Sequence, residues 1–122
     1  MRKVLVGVLA AVASMLFVPS AAYAGNSSAA CSTEGRCGAY VTFDDHGEHL
    51  EAYDTEPDGH GVYVKYKRSD APNDGEFTHR DGAGTWYDHN MSMPEGATIR
   101  FKVCRIDGSY IHNCSVWTEG TA

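Results

Sequence analysis

The part of the sequence with the greatest chemical potential is a run of acidic and histidine residues between positions 44 and 60. Carboxylates are the ligands that Ca²⁺ prefers, and imidazoles suit Zn²⁺ and related metals. The candidate metal ligands are Asp44, His46, His49, Asp54, Asp58 and His60. A calcium- or zinc-dependent extracellular protein is therefore one possible function. Exposed acidic turns and scattered histidines more often serve as solvated surface, so we expect no cofactor.

The motifs within this run depart from those of known metal and catalytic sites. Residues 54–59 imitate the start of a helix–loop–helix calcium loop, but Pro57 interrupts the pattern and Lys65 occupies the position of the bidentate Glu. Residues 46–49 read His-Gly-Glu-His and do not form the His-Glu-x-x-His pair of a zinc protease. The sequence also contains no Gly-x-Ser-x-Gly elbow. We predict a protein without catalytic residues, which is not an enzyme.

Aromatic side chains are the second group of candidate binding residues. If Val62, Val64 and Tyr66 pack inward, alternation places Tyr63 on the outside of the same strand. The adjacent Trp86 and Tyr87 could stack on sugar rings or anchor a protein partner. We therefore single out Tyr63, Trp86 and Tyr87 as candidate binding residues.

Residues 1–24 have the three parts of a secretory signal peptide. The charged start at 1–3 precedes an apolar run over 4–18, and residues 22–24 read Ala-Tyr-Ala, the small-x-small pattern of a cleavage site. The run is shorter than the ~20 residues of a membrane-spanning helix, and no later segment approaches that length. We expect a secreted, extracellular protein without membrane insertion once the signal is cleaved.

The charge balance narrows the choice of partner. Removal of Arg2 and Lys3 with the signal leaves eight Lys and Arg residues against sixteen Asp and Glu residues. Nucleic-acid binding depends mainly on neutralising phosphates with basic side chains, so an acidic chain of this kind argues against it. An extracellular protein or a glycan remains as the expected partner.

Four cysteines follow the cleavage site, at positions 31, 37, 104 and 114. An even number in a short exported chain predicts two disulfides, which can pair in three ways. We favour Cys31–Cys37 and Cys104–Cys114, because each pair brackets a turn-rich segment. Zinc is a weaker alternative, since the sequence has no Cys-x-x-Cys pair.

Alternation of apolar and polar residues predicts strands through most of the chain from Gly38 onward. The clearest is 98–103, where Ile99, Phe101 and Val103 share one face, and Asp-Gly and other glycine turns separate the predicted strands. The predicted strands cover 39–43, 49–53, 62–66, 86–93, 98–103 and 110–117. We predict an all-β fold, either a small antiparallel sandwich of the immunoglobulin-like kind or a partly open barrel.

Two features of this assignment are open to test. Residues 25–37 read as a flexible leader with a short disulfide loop before a single β domain at 38–122, and residues 68–84 read as an exposed loop. Strict alternation along 98–103 turns Cys104 outward, so its disulfide would lie on the outer face of a hairpin unless a bulge intervenes.

The chain resembles the small exported β-proteins of actinobacteria such as streptomycetes. The similarity lies in the alanine-rich signal, in Cys37-Gly38-Ala39 through Gly47-Glu48 to Asp58-Gly59, and in Glu95-Gly96-Ala97 through Cys104 to Cys114. The resemblance implies secretion and a β-sandwich, and it carries no functional residues across.

The leading functional hypothesis is a non-catalytic extracellular binding or surface-associated module, a rigid β-scaffold whose loops meet a partner. The alternative is a secreted protease inhibitor in which a disulfide-braced loop occupies a protease cleft. The secreted subtilisin inhibitors of the same organisms have a similar size and two disulfides. The comparison with them is an analogy of architecture alone, without sequence similarity.

Overall fold

The computed structural model describes residues 25–122, which form nine β-strands in two antiparallel sheets. No helix occurs in this part of the chain, so none there could span a membrane. The strands are β1 Ser28–Cys31, β2 Ala39–Asp44, β3 His49–Asp54, β4 Gly61–Arg68, β5 Gly75–His79, β6 Trp86–Asn90, β7 Thr98–Asp107, β8 Tyr110–His112 and β9 Thr118–Thr121. The front sheet has the order β1-β2-β3-β6, and the back sheet has the order β5-β4-β7-β8 with β9 also paired to β7.

Alternating residues of each sheet form the core. On the front sheet Val41, Phe43 and Leu50 are buried, and on the back sheet Val64 and Phe101 are buried. Phe43 and Phe101 meet across the two layers with ring centroids 6.5 Å apart. The prediction of an all-β fold with antiparallel sheets is therefore confirmed, and the sheets of four and five strands are not closed into a barrel.

Both disulfides have the favoured pairing, Cys31–Cys37 and Cys104–Cys114. The pairing of β4 with β7 continues without a bulge from Arg68 opposite Ile99 to Gly61 opposite Ile106. Cys104 consequently faces outward, which is one of the two arrangements that the sequence left open. It packs with Tyr63, Ile106 and Cys114 in a small apolar cluster on the outside of the back sheet.

Three boundary predictions were wrong. The segment interpreted as a leader contains β1, whose Cys31 pairs with Tyr40 of β2, so the domain begins before residue 38. The predicted loop 68–84 contains β5, which pairs with β4. Of the predicted strand 110–117 only the first three residues form a strand, β8, and β9 begins beyond it at Thr118. The predicted signal peptide at 1–24 lies outside the described residues.

Candidate functional site

The outer face of the front sheet carries three rows of side chains, each row running across β2, β3 and β6. Tyr40 lies opposite Tyr53, which lies opposite Trp86. Strand register thus collects residues that are distant in sequence into an aromatic row beside two polar rows. The polar rows are Thr42, Glu51 and Asp88, then Asp44, His49 and Asn90.

The aromatic row is a continuous strip of three rings. The ring centroids of Tyr40 and Tyr53 are 5.8 Å apart with a tilt of 42° between the ring planes. Those of Tyr53 and Trp86 are 6.3 Å apart with a tilt of 29°. Trp86 is 58% exposed and the two tyrosines are partly exposed, so the strip remains accessible to solvent.

Hydrogen bonds between the rows fix the polar side chains next to the strip. The hydroxyl of Tyr53 donates to a carboxylate oxygen of Glu51, and this bond raises the pKa of the phenol to about 12. Nδ1 of His49 lies 2.8 Å from Oδ1 of Asp88 and 3.0 Å from its Oδ2. This hydrogen bond, together with the charge of Asp88, raises the pKa of the His49 imidazole. The face therefore presents ordered acceptors beside the rings.

An open depression of about 510 Å³ extends this face toward the edge strand β1. Thr42 and Asp44, which belong to the polar rows, are part of its lining, together with Ser27 and Ala29. A ligand lying across the aromatic strip and the polar rows would have further room at this edge.

The three predicted binding residues do not lie together. Trp86 is on the outer face of the front sheet, whereas Tyr87 points to the opposite face and packs against Phe77, with ring centroids 5.3 Å apart. Tyr63 is on the outer side of the back sheet but is only 8% exposed, because it packs against Cys104 and donates a hydrogen bond to Glu76. Of the three, only Trp86 belongs to the strip.

The six candidate metal ligands fall into two groups at opposite ends of β3. Asp44, His46 and His49 lie near the β2–β3 turn. Asp54 is the last residue of β3 at the other end, and Asp58 and His60 follow it in the loop before β4. Within residues 25–122 no group of three or more His, Cys, Asp and Glu side chains could hold a metal ion.

The second group of acidic residues instead surrounds a buried arginine. Arg105 is 1% exposed, and its Nη1 donates to the carbonyl of Gly38 over 2.7 Å. Its guanidinium also donates to Asp58 and lies 3.6 Å from Asp54 and 3.8 Å from Glu34. Burial opposes ionisation of Asp58, but the amide of His60 and the charge of Arg105 outweigh it and lower the pKa of that carboxyl.

This arginine cluster closes one end of the sandwich. Glu34 belongs to the loop of the Cys31–Cys37 disulfide and accepts hydrogen bonds from Gly38 N at 2.7 Å and Ser32 Oγ at 2.6 Å. The disulfide loop is thereby held against Arg105. A cleft of about 330 Å³ lies beside the cluster, and Asp54, His60 and Arg80 contribute to its lining. Asp54 is thus shared between the ion-pair cluster and the lining of the cleft.

Sequence reasoning missed Tyr40 and Tyr53, whose outward orientation follows from alternation but whose meeting with Trp86 requires the register of three strands. The fold and this face together define an all-β protein of two antiparallel sheets whose front sheet exposes a row of aromatic side chains. No family model matches the chain, and comparisons with curated proteins and with solved structures found no match either.

Proposed function

We propose that this protein is a secreted, non-catalytic binding module that holds a glycan chain against the outer face of its front sheet. The observation that carries the proposal is the in-register row of Tyr40, Tyr53 and Trp86. Single exposed apolar side chains are normal on a protein surface, whereas contiguous exposed apolar surface marks interaction sites. Three aligned and accessible rings form such a surface, which suits a partner with successive apolar faces.

Sugar rings match both parts of this surface. The C–H face of a pyranose packs on an aromatic ring, and its hydroxyl groups donate to carboxylate oxygens such as those of Glu51 and Asp88. The rings of the strip are tilted with respect to one another. This geometry favours a single glycan chain, whose units also turn along its length, over a flat crystalline surface.

The charge of the face favours a neutral glycan. Asp44, Glu51 and Asp88 all lie beside the strip, and His49 is the basic group that faces them. A polymer rich in carboxylate or phosphate groups would be repelled by these side chains. The expected ligands are therefore uncharged oligosaccharides or those that carry amino groups.

Secretion is supported by two independent features. Residues 1–24 have the composition and order of a signal peptide. The two disulfides are typical of proteins that fold in oxidising compartments. A rigid, disulfide-braced sandwich is suited to holding an extended face in the extracellular medium.

Calorimetric titration of residues 25–122 with cellohexaose, chitohexaose and xylohexaose tests the proposal. We expect binding of at least one of them, and about a tenfold loss of affinity for Trp86→Ala, since an aromatic contact of this kind contributes about 1 kcal/mol beyond its area. Tyr110→Ala is the matched control, because Tyr110 is 67% exposed but lies on β8. Binding that Trp86→Ala leaves unchanged, or no binding to any glycan of a broad neutral panel, would overturn it.

A further inference from the structure

The outer face of the back sheet carries a charge opposite to that of the front sheet. Four basic side chains form two cross-strand pairs between β4 and β7, with Lys65 opposite Lys102 and Lys67 opposite Arg100. These four residues, named here the basic quartet, are half of the eight Lys and Arg residues in 25–122. In a chain with twice as many acidic as basic residues, such a concentration is a strong local asymmetry.

Like charges directly opposite each other destabilise a sheet. The sequence partly offsets this with Trp117, whose ring centroid lies 5.3 Å from Lys67 Nζ, 5.1 Å from Lys102 Nζ and 5.6 Å from the guanidinium carbon of Arg100. Three cations thus converge on one aromatic ring, which holds them together on the same side of the sheet.

Acidic neighbours neutralise only part of the quartet. Oδ2 of Asp74 lies 3.9 Å from Lys65 Nζ and 3.8 Å from Lys67 Nζ. Among residues 25–122, neither Arg100 nor Lys102 forms an ion pair with a carboxylate within 4.0 Å. Glu76 on β5 lies opposite Lys65 but accepts a hydrogen bond from the Tyr63 hydroxyl. Glu119 on β9 lies opposite Arg100, whereas in the described part of the chain neither β8 nor β9 places a residue opposite Lys102. Lys102, and the Arg100 guanidinium with no carboxylate within ion-pair distance, are therefore the cations most open to an external anion.

We propose that the basic quartet and Trp117 form a second binding site, which takes an extracellular polymer bearing phosphate groups. The four charges occupy two positions on each of two neighbouring strands, so one small anion cannot reach all of them. A flexible chain with successive anionic groups can. Lysine binds phosphate as a point charge and arginine binds it through its forked guanidinium, so both kinds of side chain in the quartet suit phosphate groups.

This site is independent of the glycan face, because the two lie on opposite sheets. A second copy of the chain is the other occupant that charge would allow, since the acidic rows of one front sheet could meet the quartet of its neighbour. Contact of that kind is head-to-tail and does not close, so it would produce a series of growing oligomers.

Titration with inorganic polyphosphate at several salt concentrations tests the site. If all four cations contact phosphates, the slope of log affinity against log salt reaches about −3, by analogy with single-stranded nucleic acids. The double variant R100Q/K102Q should reduce the magnitude of this slope by about 1.4 and weaken binding at low salt at least tenfold. The control R36Q/R80Q makes the same change in net charge on other parts of the molecule.

Four outcomes would overturn the proposal. The first is no binding of polyphosphate at low salt. The second is an equal loss of affinity in R36Q/R80Q, which would show that the loss in R100Q/K102Q comes from the change in net charge and not from a local site. Equal affinity for poly-glutamate would contradict the preference for phosphate. Sedimentation velocity of the protein alone supplies the fourth test. Oligomers that depend on protein concentration and salt, and that are lost in R100Q/K102Q, would assign the quartet to a second copy of the chain.

Discussion

Tyr53 and Trp86 lie directly opposite each other on β3 and β6, with ring centroids 6.3 Å apart. Tyr53 also lies opposite Tyr40 and is held through its hydroxyl by Glu51. The central ring of the strip is therefore fixed from three directions before any ligand arrives. Preorganisation of this kind lowers the entropy that a binding face loses when its ligand docks.

The pair of His49 and Asp88 makes one part of the face sensitive to pH. The pKa of His49 lies above its ordinary value of 6.5, chiefly because of the hydrogen bond to Asp88. Since the folded state binds this proton more tightly, the pair contributes stability that is fully present below 6.5 and is lost as the pH rises through the raised pKa.

An NMR titration of the His49 imidazole should give a midpoint above 6.5, and Asp88→Asn should move it back toward that value. Asp107→Asn, which removes an exposed carboxylate from the back sheet, is the control and should leave the midpoint unchanged. An unshifted midpoint in the wild-type protein would show that the pair is not formed in solution.

His89 has the opposite dependence on pH. Burial between the edges of the two sheets lowers its pKa, and Tyr66 Oη lies 2.9 Å from its Nε2. The unfolded chain binds this proton more readily, so the stability that the neutral imidazole supports is present above 6.5 and is lost as the pH falls through the lowered pKa.

His89→Gln should therefore lose less stability than the wild type between about pH 8 and about pH 5, because the amide cannot titrate but can still pair with the Tyr66 hydroxyl. Urea unfolding at the two pH values measures the difference. An equal loss of stability in both proteins would show that a group other than His89 causes the loss at low pH.

Arg105 should be the charged residue on which stability depends most. Arg105→Met leaves the carboxylates of Asp54 and Asp58 without their cation, and we expect a loss of about 3–5 kcal/mol in the free energy of unfolding. Arg36→Met is the control, because Arg36 is exposed in the disulfide loop and should change stability by about 0.5 kcal/mol or less. Similar losses in the two variants, measured by chemical unfolding, would contradict this role.

The two disulfides should differ in their contribution. Closure of their short loops stabilises the fold by about 2–3 kcal/mol each in the chain-entropy model. Cys104 is also fully buried against Tyr63, whereas Cys31 is exposed. The double variant C104A/C114A should therefore lose more stability than C31A/C37A, since it also leaves a cavity beside the tyrosine. Thermal unfolding compares the two, and the reverse order would contradict the packing of this cluster.

The predictable parts of the fold are those with strong local patterns. Alternation identified the inward faces of β2 and β7, but it left open whether a bulge would turn Cys104 inward. β1, with the sequence Ser-Ala-Ala-Cys, and the five-residue β5 have few β-branched residues, so only pairing with their neighbours makes them strands.

The site was less predictable because it depends on register between strands. Trp86 was identified as an exposed aromatic residue, but Tyr87, next to it in the chain, must point to the other face. Arg105 continues the inward series of Ile99, Phe101 and Val103, so alternation alone would have marked it as a buried charge. Its partners Glu34, Asp54 and Asp58 are distant in sequence and could not be found in that way.

The two tryptophans offer the most direct test of the central claim, because Trp86 lies on the front sheet and Trp117 beside the basic quartet of the back sheet. The indole N–H signals of a ¹⁵N-labelled protein therefore report on the two faces separately. Titration with a bound neutral oligosaccharide should shift the signal of Trp86 and leave that of Trp117 in place. A shift of Trp117 alone, or of neither signal at saturating ligand, would contradict the assignment of the aromatic strip as the glycan site.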